Sequence, residues 1–389
     1  MNPASKTAPA LLLNPAPAAS LLQPAFVRLM AMQVAFGLSF SIFLILPKHL
    51  AVTLHAGPAA IGWIMSMYGV ANILFARPIA AFVQRVGRKR ALQAGALCAT
   101  LGSSLFVFAD TAGVLAASGR LLQGVAWALV FTAGTAMAAE LAPVGRMAHA
   151  MGVFASAVLA MNAIGPPLAE PMLTAWGHRP VFALASMASF VAFFLARRLP
   201  AQTAAASDTP AMRTRSPLPR AYLALWVVLG VACGTMFTFY QALAIDAHVP
   251  RVSDFLLGYT AAALLVRVFG GRFVDRIGYR TTCLWTFVLY GFVVFAMRWM
   301  GPHTIVILGA CFGVAHGTFY PAMMALSVVT VPPQARSALM STINVAYHSG
   351  AMAVVALGYA ATYIGFEAIF ALAAMVTLLS LGWLRPRPS

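Results

Sequence analysis

Charge is missing from long stretches of this chain. None falls between Leu29 and Pro47, from Leu121 to Ala139, from Met147 to Ala169 or from Tyr222 to Ile245. Hydrocarbon offers no partner to a backbone N–H or C=O, so apolar runs of about 20 residues read as membrane-crossing helices. The pattern predicts twelve: 27–50, 59–83, 89–109, 112–140, 147–173, 178–198, 220–246, 254–273, 281–299, 302–330, 337–362 and 365–384. Gly57-Pro58, Asp110, Pro143, Gly177-His178, Pro250, Gly301-Pro302 and Pro332-Pro333 punctuate them with turn and cap chemistry. The expected fold class is an all-α polytopic membrane protein.

Composition agrees. The chain is 61% hydrophobic and 8% charged, against about 25% charged in a soluble domain. No loop has the length of a separate soluble domain, so the work is done within or across the bilayer. Residues 1–26 hold five prolines and read as a disordered tail rather than a secretory signal. The four cysteines lie in apolar runs without metal-type spacing and read as small packing residues.

A net charge of +17 suggests nucleic acid in a soluble protein, but its placement here argues otherwise. With a cytoplasmic N-terminus, eighteen Lys and Arg fall in the tails and even-numbered connections. Only Lys48, Arg179, Arg251 and Arg298 fall on the opposite side. That is the positive-inside bias, which puts both termini in the cytoplasm and leaves the basic residues facing anionic lipid headgroups. No basic patch is interleaved with exposed aromatics, so no nucleic-acid partner is expected.

Two basic loops match each other. Ala80-Ala81-Phe82-Val83-Gln84-Arg85-Val86-Gly87-Arg88-Lys89-Arg90 is echoed by Gly271-Arg272-Phe273-Val274-Asp275-Arg276-Ile277-Gly278-Tyr279-Arg280, with Gly87 and Gly278 191 residues apart. Pro143-Val144-Gly145-Arg146 and Pro333-Gln334-Ala335-Arg336 repeat at nearly the same interval. The Pro- and Ser/Thr-containing segment 199–219 reads as a linker between two six-helix halves, 27–198 and 220–385, with 386–389 as a cytoplasmic tail.

On these motifs the chain resembles a major facilitator superfamily transporter of the efflux type over nearly its whole length. The resemblance implies two pseudo-symmetric six-helix bundles that rock about a central cavity. The family loop signature, Gly-x-x-x-Asp-Arg-x-Gly-x-Arg/Lys, is complete at Gly271, Asp275, Arg276, Gly278 and Arg280. The first copy keeps Arg85, Gly87, Arg88 and Lys89, but has Ala80 and Gln84 for the first glycine and the acid. In the family such loops latch one conformation. Physically, Gly278 permits a tight turn, and Asp275 can accept from N–H groups at a neighbouring helix N-terminus while Arg276 and Arg280 offset its charge. The alternative is an ordinary basic loop obeying positive-inside. Gln84 lacks the charge, so the first latch is expected to be weaker.

Inside the spans, Arg120 opens Arg120-Leu121-Leu122-Gln123-Gly124, similar to the family's Arg-x-x-x-Gly pattern, which is associated with proton coupling or a polar cavity. It either faces such a cavity, within reach of Gln33 or Asn162, or snorkels outward. Arg267 faces the cytoplasmic cavity or inner headgroups, and Arg77 is read as structural. Gly165-Pro166 resembles the core of the family's antiporter signature, but Ala169 and Glu170 replace its paired glycines. Glu170 either titrates or pairs with Arg179 or Lys48 at the outer rim. Tyr240, Gln241, Asp246, His316, Tyr320, Asn344, Tyr347 and His348 are expected to line a cavity, the two histidines binding substrate, moving protons or bonding between helices.

No Walker-type Gly-x-x-x-x-Gly-Lys-Ser/Thr is present, which excludes ATP-driven transport by this chain. No enzyme motif, metal-ligand cluster or cofactor site is read. The expectation is a monomeric, proton-coupled exporter of a small organic molecule in a bacterial inner membrane. A symporter or facilitator importing a metabolite is the alternative within transport, and a sensor or scaffold the alternative outside it. Arginines outnumber acids in the spans, favouring an anionic, zwitterionic or polar neutral substrate.

Overall fold

The computed structural model describes residues 23–143, 146–201, 219–269, 274, 276–331 and 336–384. Among them, regular structure is helical and no strand occurs. The expected linker, save its ends, and most of both tails lie outside the described residues.

Helix α1, Pro24–Ile42, continues through a 3-10 turn and a π turn, His49–Thr53, into one apolar stretch of 30 residues. Pro47 lies in this irregular part, where its missing N–H interrupts the regular ladder. The next span was expected as one helix over 59–83. It is two, α2 (Pro58–Leu74) and α3 (Ala76–Val86), bent by 56° at Phe75. Pro78 explains the break, because it has no N–H for the Leu74 carbonyl one turn back. Helices α4 (Arg88–Val107) and α5 (Val114–Glu140) are continuous. The fifth predicted span divides into α6 (Met147–Met161) and α7 (Gly165–Trp176), since Pro166 and Pro167 cannot donate back across Asn162–Ile164. Then follow α8 (His178–Arg197), α9 (Arg220–Asp246), α10 (Asp254–Phe269), α11 (Tyr279–Ala296) and α12 (Ile305–Val329). Last come α13 (Arg336–Ala351) and α14 (Val354–Leu379).

Eight of these stretches are long and apolar enough to cross a membrane, or nine if α2 and α3 form one bent span. One of the eight, Thr342–Trp383, runs for 42 residues and turns at Gly365. The count of twelve stays a proposal. Large apolar side chains also face outward, among them Leu74, Phe108, Met187, Phe292 and Ile307, a surface that suits lipid rather than water. Exposed Trp176 and Trp299, at the ends of α7 and α11, fit the interfacial aromatic belt. This is an integral, multi-pass membrane protein.

Four glycines turn the chain with almost no loop. Gly87, Gly177, Gly278 and Gly365 all have φ between 77° and 89° with extended ψ. A side chain would be strained in that conformation, and at the first three a new helix starts on the next residue. Gly87 and Gly278 are the loop glycines of the two matching motifs. Gly177 and Gly365 form a second pair at nearly the same interval, so the repeat extends to backbone conformation.

Before Leu199, α4 packs on α5 and α8, and α1 on α8. After Pro219, α10 packs on α12, α9 on α13, and α11 on α12. The main crossing between these parts is α2 on α14. There Gly62 lies against the Val354 carbonyl and Gly358 against the Pro58 carbonyl, so closely that a Cβ at either would collide. Small residues at a crossing let two backbones approach and gain dispersion contacts, the main source of helix association in lipid.

Candidate functional site

Most of the described polar contacts between the two parts of the chain gather at the end of the bundle away from Pro24 and Leu384. Lys48 lies in the irregular end of the first span, just before its π turn, and its Nζ lies 2.6 Å from Glu170 Oε1 on α7. Glu170 is 3% exposed. Its carboxylate also accepts the backbone N–H groups of Val252 and Ser253, just before α10, at 2.9 Å each. Three donors therefore hold one buried anion, two of them from the second half of the chain. A buried carboxylate needs such partners, since desolvation without them costs several kcal/mol. Gln241 on α9 adds a second clasp: its Oε1 accepts the Lys48 backbone N–H at 2.8 Å, and its Nε2 donates to the Leu44 carbonyl and to Tyr240 Oη. A cavity of about 480 Å³ opens beside the clasp, lined by Lys48, Glu170, Pro171, Pro250, Arg251 and Asp254 among others.

Of the two partners expected for Glu170, the structure selects Lys48. Arg179 instead approaches Asp110 at 3.5 Å. Asp246, expected in a cavity, is exposed at the C-terminal end of α9. Sequence reading named Gln241 without its role, which depends on helices 193 residues apart in sequence.

Arg120 lies deeper, about 9 Å along α5 from Val114 at a rise of about 1.5 Å per residue. It is 7% exposed. Its Nη1 donates to Gln123 Oε1 at 3.0 Å, and its Cζ stands 4.9 Å from the Tyr68 ring centroid on α2. Gln33 and Asn162 were expected as partners, but their side-chain oxygens are buried without one, as is Arg120 Nε. The Gln123 contact follows from i, i+3 spacing on one helix face. Tyr68 was missed. The sequence signal for it was Gly124, whose missing side chain lets α5 approach the Tyr68 and Ala71 backbone and side chain on α2.

Beyond Tyr68 the rings continue across the chain's two parts. His348 on α13 is 5.8 Å from Tyr68, and Tyr347 is 5.2 Å from His348. Tyr347 donates to Cys233 Sγ and neighbours Tyr320, which adjoins His316. His316 stacks on Phe312 with Nδ1 buried and unpartnered. Asn344 Nδ2 donates to the Asn72 carbonyl on α2 at 3.5 Å. These expected cavity residues thus come together around one line of rings, with Tyr240 and Gln241 belonging to the clasp instead.

At the opposite end, Arg88 forms an ion pair with Glu140, the last residue of α5. Sequence reading missed Glu140, though it is the acid that ends a long uncharged run. Gln84, Arg85 and Arg276 are exposed. Gly271 and Asp275 lie outside the described residues, and Arg280 sits in the first turn of α11. Arg267 and Arg77 are exposed on α10 and α3. Among the described residues no three His, Cys, Asp or Glu side chains are grouped for a metal ion.

Comparison with known proteins agrees with this architecture. The "Multidrug resistance protein 1" of Bacillus subtilis (strain 168) is 23% identical over 229 residues, 58% of this chain and 57% of that protein. The "Uncharacterized transporter YebQ" of Escherichia coli (strain K12) is 24% identical over 227 residues, 58% of this chain and 46% of that protein. The chain thus spans about half the length of the curated relatives it matches. A crystal structure of a mutant of the nucleoside transporter NupG superposes with a TM-score of 0.76 at 12% identity, covering 92% of this chain and 98% of that one. A POT family transporter in complex with a thioalcohol-conjugated peptide gives 0.77 at 11% identity over 92% and 94%. At such identities these two likenesses concern the fold alone. The family model described as Major Facilitator Superfamily matches residues 29–266 and 244–389, and the chain belongs to that superfamily of transporters.

Proposed function

We propose that the protein exports a small organic molecule in exchange for protons, by alternating access between two six-helix bundles, 27–198 and 220–385. On this reading twelve spans cross a bacterial inner membrane, with both termini and segment 199–219 in the cytoplasm and the protein working as a monomer. The observation that carries it is the clasp of Lys48, Glu170, Gln241, Val252 and Ser253. It joins the two bundles at the end that positive-inside makes the outer one, as an inward-facing transporter requires. Opening the outer side means separating Glu170 from its two donors in the second half, the Val252 and Ser253 N–H groups. A proton on Glu170 weakens all three contacts, which gives a route from proton binding to opening. Arg120 lies on the substrate side of this gate. Export rather than import is supported by the likeness to a multidrug resistance protein.

The test is the sign of proton movement. Purified protein is reconstituted in vesicles enclosing a pH-sensitive dye, without an initial gradient, and candidate solutes are added outside. Exchange alkalinises the lumen as solute enters and protons leave, relative to protein-free vesicles. Lumen acidification would indicate symport, and no change with any solute would favour a facilitator or a scaffold. Arg120→Ala is expected to insert and fold yet lose the signal.

A further inference from the structure

Among the described residues Arg120 has no carboxylate partner. The chain has eight acidic residues, and among the described ones Glu170 alone is buried, fully engaged with Lys48 and the α10 entrance. Asp110, Glu140, Asp246, Asp254 and Glu367 lie at or near helix ends and bends. The Arg120 guanidinium is left with one neutral acceptor, Gln123, one ring face, Tyr68, and an unpartnered Nε. A buried cation so incompletely compensated is an invitation to an anion, and the planar guanidinium fork matches a carboxylate.

The surroundings specify the rest of the ligand. Trp127 and Phe131 follow Arg120 on one face of α5, seven and eleven residues on, and their rings stack at 5.6 Å and 13°. Trp127 also lies 4.5 Å from Phe40 of α1, and Phe40 6.1 Å from Tyr68. Trp127 is half-buried and Phe131 exposed, so the protein leaves part of this ring row uncovered. It leads from the guanidinium toward the end bearing the chain termini, which is the entry side in the proposed inward-facing state. A flat apolar body would lie along these rings with its charge on Arg120.

We propose that the substrate class is a planar aromatic organic anion, an arylcarboxylate in the simplest case, held by Arg120 and the Tyr68–Phe40–Trp127 rings. This deepens the transport reading and rests on it for the word substrate. The binding claim itself needs no gradient and no direction.

Equilibrium binding to purified protein in lipid nanodiscs tests it with three naphthalene probes of matched shape: 2-naphthoate, 2-naphthamide and 2-naphthylmethylammonium. Naphthoate should bind at least about tenfold more tightly than the amide, as expected for a charge-assisted contact, and the ammonium should not bind measurably. Arg120→Gln should bring naphthoate down to the level of the amide. Trp127→Leu should weaken naphthoate and amide alike while keeping their ratio, which reads the ring face separately and guards against misfolding of the Arg120 variant. Ammonium or amide binding as tight as naphthoate, or an anion preference surviving in Arg120→Gln, would overturn the assignment. Naphthoate binding without any proton signal in vesicles would contradict the exchange mechanism and leave this assignment standing.

Discussion

Lys48 Nζ and Glu170 Oε1 are 2.6 Å apart, and the same carboxylate accepts two backbone N–H groups at the entrance to α10. One ion pair inside the first half of the chain is thereby also the tie to the second half. The two side chains should be strongly coupled, because removing either leaves the other as an uncompensated, largely desolvated charge, unlike a surface ion pair. A double-mutant cycle of Lys48→Met and Glu170→Gln, read by thermal unfolding in detergent, should give a coupling energy of about 1.5–3 kcal/mol. A coupling near zero would mean that the two side chains do not hold the gate together.

The α2–α14 crossing allows a controlled comparison between two glycines. Gly62→Ala places a methyl against the Val354 carbonyl, whereas a Cβ at Gly152 on α6 meets nothing within 4 Å. Gly62→Ala should destabilise by about 1–3 kcal/mol through overpacking. Gly152→Ala should be neutral or stabilise by up to about 1 kcal/mol, since alanine costs less chain entropy. Equal melting temperatures for the two variants would show that the crossing is looser than described.

Much of the fold was legible because membrane helices announce themselves by missing charge. The interruptions at Phe75 and at Asn162–Ile164 were legible in principle, through Pro78 and Pro166-Pro167 one turn later. They were passed over because a hydrophobic run looks the same whether or not its helix is bent. The site divided along similar lines. Gln123 is near Arg120 by local spacing, and Lys48 was one of two rim cations that Glu170 could choose. Tyr68 and Gln241 take their roles from contacts between helices far apart in sequence, which no local pattern encodes. Glu140 was passed over as the polar end of a span, although ending an uncharged run beside a basic loop is what brings it to Arg88.

The loop motifs predict an effect on rate rather than on stability. Asp275→Asn should lower turnover more than it lowers the amount of folded protein, because it removes a charge that favours one conformation. In the first copy Arg88 already finds an acid in Glu140, so Gln84→Asp should change the transport rate by competing for or reinforcing that contact. Normal transport by Asp275→Asn at normal protein levels would return the second loop to a simple topology signal.

The proposed orientation rests on the eighteen-to-four division of basic residues. A cysteine introduced as Ser207→Cys should resist a membrane-impermeant thiol reagent in intact cells and react after lysis. Labelling in intact cells would invert the topology, and with it the assignment of the Lys48–Glu170 clasp to the outer side.

Alternating access is tested most directly by measuring both ends of the bundle in one protein. Spin-label pairs at Thr174 and Leu257, beside the clasp, and at Gln84 and Met340, toward the other end, give two distances by pulsed electron resonance. The four native cysteines are replaced beforehand. The expected result is opposed motion: Glu170→Gln or acid pH lengthens the first distance and shortens the second. Two distances that stay fixed under both perturbations, or that lengthen together, would contradict transport by rocking of two bundles.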